Sequence, residues 1–183
     1  DNTLWGGVVG EDGLQGIEIS DHKEGARFRD FQKRLKDIKD MGIILAVVSK
    51  NNYEDAVEVF RRHEGMYLKE EDFAVMRINW ESKAWNIEAL AEELNIGLDS
   101  IVYIDDNPVE REAVKYQLPQ VAVPDFPEDT ADLEDFIVEV YNKYFFSINI
   151  TEEDKKKTDM YVQNVLRGRE LKASNSIDDY LLG

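Results

Sequence analysis

The stretch Ile101-Val102-Tyr103-Ile104-Asp105-Asp106-Asn107-Pro108-Val109-Glu110-Arg111 constrains the fold more than any other. Four consecutive apolar or aromatic residues, three of them β-branched and bounded by turn-formers, describe a short strand buried on both faces, the habit of a parallel sheet covered by helices. Asp105 and Asp106 follow at its carboxyl end, the edge at which open α/β sheets bind ligands. A helix start comes next: Asn107 is placed to cap it, Pro108 supplies the φ of a first helical residue, and Glu110 falls at the third position, within reach of the cap. One reading of Asp-Asp-Asn-Pro is a capped turn, since acidic residues are favoured near any helix N-terminus. The other is a ligand site.

The surrounding chain repeats the pattern. Asp1 to Gly10 carries Gly6, Gly7 and Gly10, and the apolar stretches on either side of Glu11-Asp12-Gly13 predict a small β-hairpin from Val8 to Ile19. Phe28, Phe31, Leu35 and Ile38 recur at helical spacing, ending at Gly42. Ile43 to Val48 is a second buried strand, delivering Ser49, Lys50, Asn51 and Asn52, with Asn52 as cap of the helix that follows. Phe73 to Ile78 is strand-like, and Ser82 is placed to cap a helix bearing Lys83 in its first turn and Ile87, Leu90, Ala91 and Leu94 on its core face. A cation there opposes the helix dipole, which marks Lys83 as a candidate. Gln120 to Val123 predicts another short strand, and Leu133 to Tyr144 a last core helix. This alternation means a parallel α/β sheet with right-handed crossovers. Thr151-Glu152-Glu153-Asp154 resembles a capping box opening a polar helix to about Lys172. Residues 1–147 are thus expected as the domain, and residues 148–183 as a helical appendage or linker to a further domain.

Composition narrows the chemistry. With 39 acidic and 22 basic residues, the net charge of -17 repels a phosphate backbone, so nucleic acid is not an expected partner. There is no cysteine, which removes thiolate metal sites and a cysteine nucleophile. The longest apolar run, Ile43 to Val48, is too short to cross a bilayer. The expected location is the cytoplasm, with no membrane partner.

Polar groups now stand at three strand ends: Asp1 with Thr3, Ser49 with Lys50, and Asp105 with Asp106, joined by Lys83. Two unit charges about 4 Å apart repel by about 4 kcal/mol at an effective dielectric near 20, so converging carboxylates require a cation. An oxygen-only site suits a hard ion, and Mg2+ keeps waters and bridges to substrate phosphate. The Ser49 hydroxyl and Lys83 ammonium would hold the remaining phosphate oxygens.

In that order, Asp-x-Thr, a strand with Ser-Lys, a lysine and a strand with Asp-Asp, the chain resembles the haloacid dehalogenase (HAD) superfamily. Asp-Asn-Thr-Leu-Trp-Gly-Gly, Val-Ser-Lys-Asn-Asn, Asn-Trp-x-x-Lys and Asp-Asp-Asn-Pro-x-Glu-Arg resemble its FkbH-like branch. The resemblance implies a Rossmann-like three-layer fold with a parallel sheet, little or no cap domain, and Mg2+-dependent phosphoryl transfer through an aspartyl-phosphate. It implies that Asp1 is the general acid and base and lends its main-chain carbonyl to the metal, with the nucleophilic aspartate two residues upstream. Ser49, with Lys50, binds the phosphoryl group, Lys83 neutralises it, Thr3 belongs to the first motif, and Asp105 and Asp106 hold Mg2+. Only the hairpin and one helix separate Thr3 from Ser49, leaving the site open to a phosphorylated small molecule or a carrier-protein-linked substrate. FkbH-like proteins are associated with moving a phosphorylated three-carbon unit onto a carrier protein through a cysteine thioester. With no cysteine here, phosphatase action is the expectation, and a silent HAD-like interaction module of a multidomain protein the alternative. Trp5 and Asn51 are candidates for a substrate wall. Asn107 and Arg111 fit local capping as well as ligand contact, and His22 and His63 fit surface roles.

Overall fold

The computed structural model describes residues 1–146 and 181–182. Its elements run α1 (Val9–Gly16), α2 (Lys23–Asp40), β1 (Ile44–Lys50), α3 (Tyr53–Arg62), β2 (Val75–Asn79), α4 (Lys83–Leu94), β3 (Ile101–Val102), α5 (Pro108–Gln117), α6 (Leu133–Tyr144) and β4 (Leu181–Leu182). The helix expected from Thr151 to about Lys172 lies outside the described residues.

The strands form one parallel sheet in the order β2-β1-β4-β3. Ala46–Lys50 run beside Val75–Asn79 on one edge of β1, while on its other edge β4 pairs only Ile44 and Leu45. Alternation along β1 builds three layers. Leu45 packs into a cluster with Phe28, Phe31 and Leu35 of α2 and with Ile137 of α6, whereas Ala46 and Val48 face Ile87 and Leu90 of α4 and Val114 of α5. Successive strand residues point to opposite faces, so an unbroken apolar run is what a strand needs when helices cover both sides. The α/β, Rossmann-like three-layer arrangement expected from the sequence is the one observed.

Two local expectations are corrected. Val8 to Ile19 is not a hairpin. Gly6 and Glu18 exchange two antiparallel backbone hydrogen bonds (2.9 and 2.7 Å), but the chain between them winds into α1. The Asp12 carboxylate accepts the Val8 amide (2.8 Å) and the Asp1 carboxylate accepts that of Val9 (2.9 Å), satisfying donors that a helix start leaves orphaned. The turn signal at Gly13 survives only as a break, with φ +75° inside the helix. The strand expected at Gln120–Val123 is reduced to a parallel bridge between Val102 and Ala122, closed by Tyr103 N–H to the Ala122 carbonyl (2.8 Å).

Gln32 of α2 fixes the first loop. Fully buried, it donates to the Leu4 carbonyl (2.7 Å) and accepts from the amides of Tyr67 and Leu68 (3.0 and 2.9 Å). Thr3, one residue before Leu4, is thereby placed over the carboxyl edge of the sheet.

Candidate active site

A cavity of about 290 Å3 opens at that edge, and Asp1, Thr3, Trp5, Ser49, Lys50, Lys83, Asp105, Asp106 and Glu110 reach it. Three elements deliver the polar groups: the loop before α1, the end of β1, and the turn from β3 into α5. Lys83 arrives from the start of α4, whose first turn Ser82 caps by accepting the Trp85 amide (3.1 Å). Below the polar mouth the lining turns apolar, with Phe31, Leu45, Phe60 and Ile104.

The two adjacent aspartates have different surroundings. Asp105 is buried, and its Oδ2 accepts from Lys83 Nζ (2.8 Å) and from the Tyr103 hydroxyl, while Oδ1 accepts the Asn107 amide (3.0 Å). Burial pushes the Asp105 carboxyl up, but the Lys83 charge and these hydrogen bonds outweigh it and hold the group below the usual carboxylate range. The Tyr103 hydroxyl is raised, first by burial and then by the Asp105 charge, so it stays a donor. Asp106 has no such cation among the described residues: its Oδ1 accepts from the Thr3 hydroxyl (3.0 Å), and burial followed by the neighbouring Asp105 charge raises its carboxyl. Arg111 donates from one nitrogen to the carbonyls of both aspartates (3.0 Å each), and Asn107 caps α5 through the Val109 amide (2.9 Å). Arg111 is therefore a clamp on the acidic turn, a role its position in the sequence left open.

The Asp1 carboxylate has its own set of partners. Oδ1 accepts from the Trp5 indole (3.2 Å) and the Val9 amide (2.9 Å), and Oδ2 from the Asn51 amide (2.8 Å), which also lies 3.4 Å from Ser49 Oγ. Trp5 and Asn51, read as wall candidates, are 3% and 4% exposed and spend their donors on Asp1. Glu110 does not close a capping box; it pairs with Lys50 Nζ (2.9 Å), so Lys50 reaches the cavity but is engaged there. Asn52 stands at the cap position of α3 without capping it, its carbonyl oxygen accepting instead from the indole of exposed Trp80 (3.0 Å).

Among the described residues no three His, Cys, Asp or Glu side chains converge as a metal-holding group. The expected cluster of three carboxylates is not formed, because Asp1 turns toward Trp5 and Asn51. The donor set is still of one kind. Asp1, Asp105, Asp106 and Glu110 face the cavity against Lys50 and Lys83, an excess of negative charge carried on oxygen alone, and such donors suit a hard divalent ion.

Fold and site together define an α/β protein with an acidic, oxygen-lined pocket at the carboxyl edge of a parallel sheet. The chain is similar to a crystal structure of the N-terminal part of the protein BF1531 from Bacteroides fragilis, which contains a phosphatase domain and is complexed with Mg, at 47% sequence identity and a TM-score of 0.73. The match covers 75% of this chain and 37% of that one, so this chain spans less than half of it. No protein-family model matches the chain, and no curated protein matches it. No helix among the described residues is long and apolar enough to cross a membrane.

Proposed function

We propose that the chain carries a Mg2+-dependent phosphoryl-transfer site of the haloacid dehalogenase type, FkbH-like in its motifs, and acts as a phosphatase through an aspartyl-phosphate. One observation carries the reading: Asp105 is saturated by Lys83, Tyr103 and Asn107, whereas Asp106, beside it, has a hydroxyl partner and, among the described residues, no cation paired with it. Asp106 is then the carboxylate that meets the ion, together with the Asp1 main-chain carbonyl, and Asp105 holds Lys83 ready for phosphate. Bound Mg2+ would supply the positive charge that lets carboxylates and a phosphate share one pocket. Ser49 Oγ and Lys83 Nζ face the same cavity and suit the phosphoryl oxygens.

The nucleophile is a carboxylate two residues upstream of Asp1. Supporting this, Asp1 lines the cavity together with Ser49 and Lys83. A residue joined there would enter among the phosphate-binding groups. The mouth also favours a substrate presented from outside, since α2 packs into the core and does not roof the site. A phosphorylated small molecule, including a three-carbon unit, or a group displayed on a carrier protein fits that mouth, and further domains of the same polypeptide, in the cytoplasm, would supply the context.

The test is phosphate release by the complete polypeptide from free and carrier-linked phosphate esters. Release that stops with EDTA and with Asp106→Asn supports the reading; release surviving both overturns it. A folded protein that releases no phosphate from either class would instead be an interaction module.

A further inference from the structure

Trp5 and Asn51 are aromatic and polar residues that no step above uses, and both are more than nine-tenths buried against the Asp1 carboxylate. Their geometry is specific. The indole N–H reaches Oδ1 from one side, the Val9 amide reaches the same oxygen, and the Asn51 amide reaches Oδ2. Each donor is itself held. The Trp5 ring packs edge-on against Phe60 at 5.8 Å between centroids, Val9 opens α1, and Asn51 leaves the end of β1 with its amide shared toward Ser49 Oγ. Three elements thus fix one carboxylate, and one amide spans it and the phosphate-binding hydroxyl.

We infer that Trp5 and Asn51 are positioning residues for Asp1, setting its carboxyl at the leaving-group side of the phosphoryl-transfer site. The inference rests on the proposed phosphatase reading. In the step concerned, the P–O bond to the leaving group breaks as a bond forms between phosphorus and the attacking carboxylate oxygen. The leaving oxygen keeps the electron pair of the broken bond and takes the proton of the Asp1 carboxyl. A group that must hand over a proton within hydrogen-bond reach needs a fixed orientation, and general acid help of this kind typically contributes about 100- to 10,000-fold. Packing alone would not require an indole N–H and an amide on the same carboxylate.

Leaving-group dependence separates positioning from mere support of the fold. An alkyl phosphate leaves as a strongly basic alkoxide and needs the proton, whereas an aryl phosphate with an electron-withdrawing ring leaves without it. In the complete polypeptide with Mg2+, Trp5→Phe and Asn51→Ala are each compared with the parent by kcat/KM on an alkyl phosphate and on 4-nitrophenyl phosphate. Phenylalanine keeps the contact with Phe60, and circular dichroism checks that both variants fold. The expected result is a loss of about 30-fold or more on the alkyl ester and less than about threefold on the aryl ester. Equal losses on both esters in the folded variants, or no loss on either, would overturn the inference while leaving the phosphatase reading in place. A parent protein that hydrolyses neither ester would remove the phosphatase reading itself and the inference with it.

Discussion

Lys83 and Asp105 form a largely buried ion pair, Nζ 2.8 Å from Oδ2, between the start of α4 and the turn from β3 into α5. A cation in the first turn of a helix works against the helix dipole, and the structure supplies the reason for its presence: the lysine answers a carboxylate that is buried beside a second acid.

Replacing Lys83 by Met leaves Asp105 charged in a dry site. Breaking a buried pair from one side typically costs about 3–5 kcal/mol, and here the lower end is expected because Tyr103 and the Asn107 amide still hold the carboxylate. Adding Asp105→Asn should restore part of that loss, so the double variant falls short of the sum of the singles. Urea unfolding of the four proteins measures the coupling.

Arg111→Lys should impair the site more than the fold. One guanidinium nitrogen meets two carbonyls, those of Asp105 and Asp106, and an ammonium on a flexible stem does not reproduce that planar geometry. Loosening the acidic turn is expected to weaken Mg2+ binding about tenfold, the scale at which supporting partners of metal ligands usually act, with a change in stability under about 1 kcal/mol. Titration calorimetry with Mg2+ and thermal unfolding give the two readings.

Asp72 should make stability depend on acid pH. It accepts from Lys36 Nζ (2.5 Å) and from the Lys69 amide (2.8 Å). Burial pushes its carboxyl up, yet these partners outweigh burial and hold it below the usual value, while the hydrogen bond to Asp72 raises Lys36. A depressed carboxylate stabilises the fold above its unfolded pKa of about 4 and loses that contribution as pH falls through the folded value. The Lys36 side of the pair is lost only at the alkaline end, as pH rises through its raised value. The stability gap between the parent and Asp72→Asn should therefore be largest near neutrality and shrink as pH falls below about 5, as read by denaturant melts at each pH.

Gly65→Ala should be strongly destabilising, by about 2 kcal/mol or more. A Cβ at this position overlaps the Ile19 carbonyl, and backbone cannot swing aside as a side chain can. Gly10→Ala, where a Cβ meets nothing within 4 Å, is the matched control in the same melting experiment.

The layers and the helices at the sheet were legible because their signals are local. Leu133–Tyr144 was read to the residue from its apolar spacing, and Ser82 and Asn107 cap the helices assigned to them. The loop before α1 was misread because what decides it is distant or reciprocal: Asp1 accepts from Val9, and Gln32 donates to the Leu4 carbonyl from 28 positions away. The burial of Trp5 went unread for the same reason, since its contact with Phe60 depends on α3. Tyr103 was within reach: it lies two residues before Asp105 in a run that reads as extended, and a phenol there signals a partner for a buried carboxylate. Arg111 carried no such signal, because a clamp on main-chain carbonyls leaves no pattern in side chains.

The hydrogen bond from Thr3 to Asp106 joins residues 103 positions apart in the chain. A contact of that separation exists only when the intervening chain has been closed, at a cost in loop entropy. An ion held at Asp106, as proposed, would have no competent site on the unfolded chain, and its binding free energy would add to the free energy of folding. The concentration of divalent cation would then be one of the variables that set what fraction of the molecules is folded.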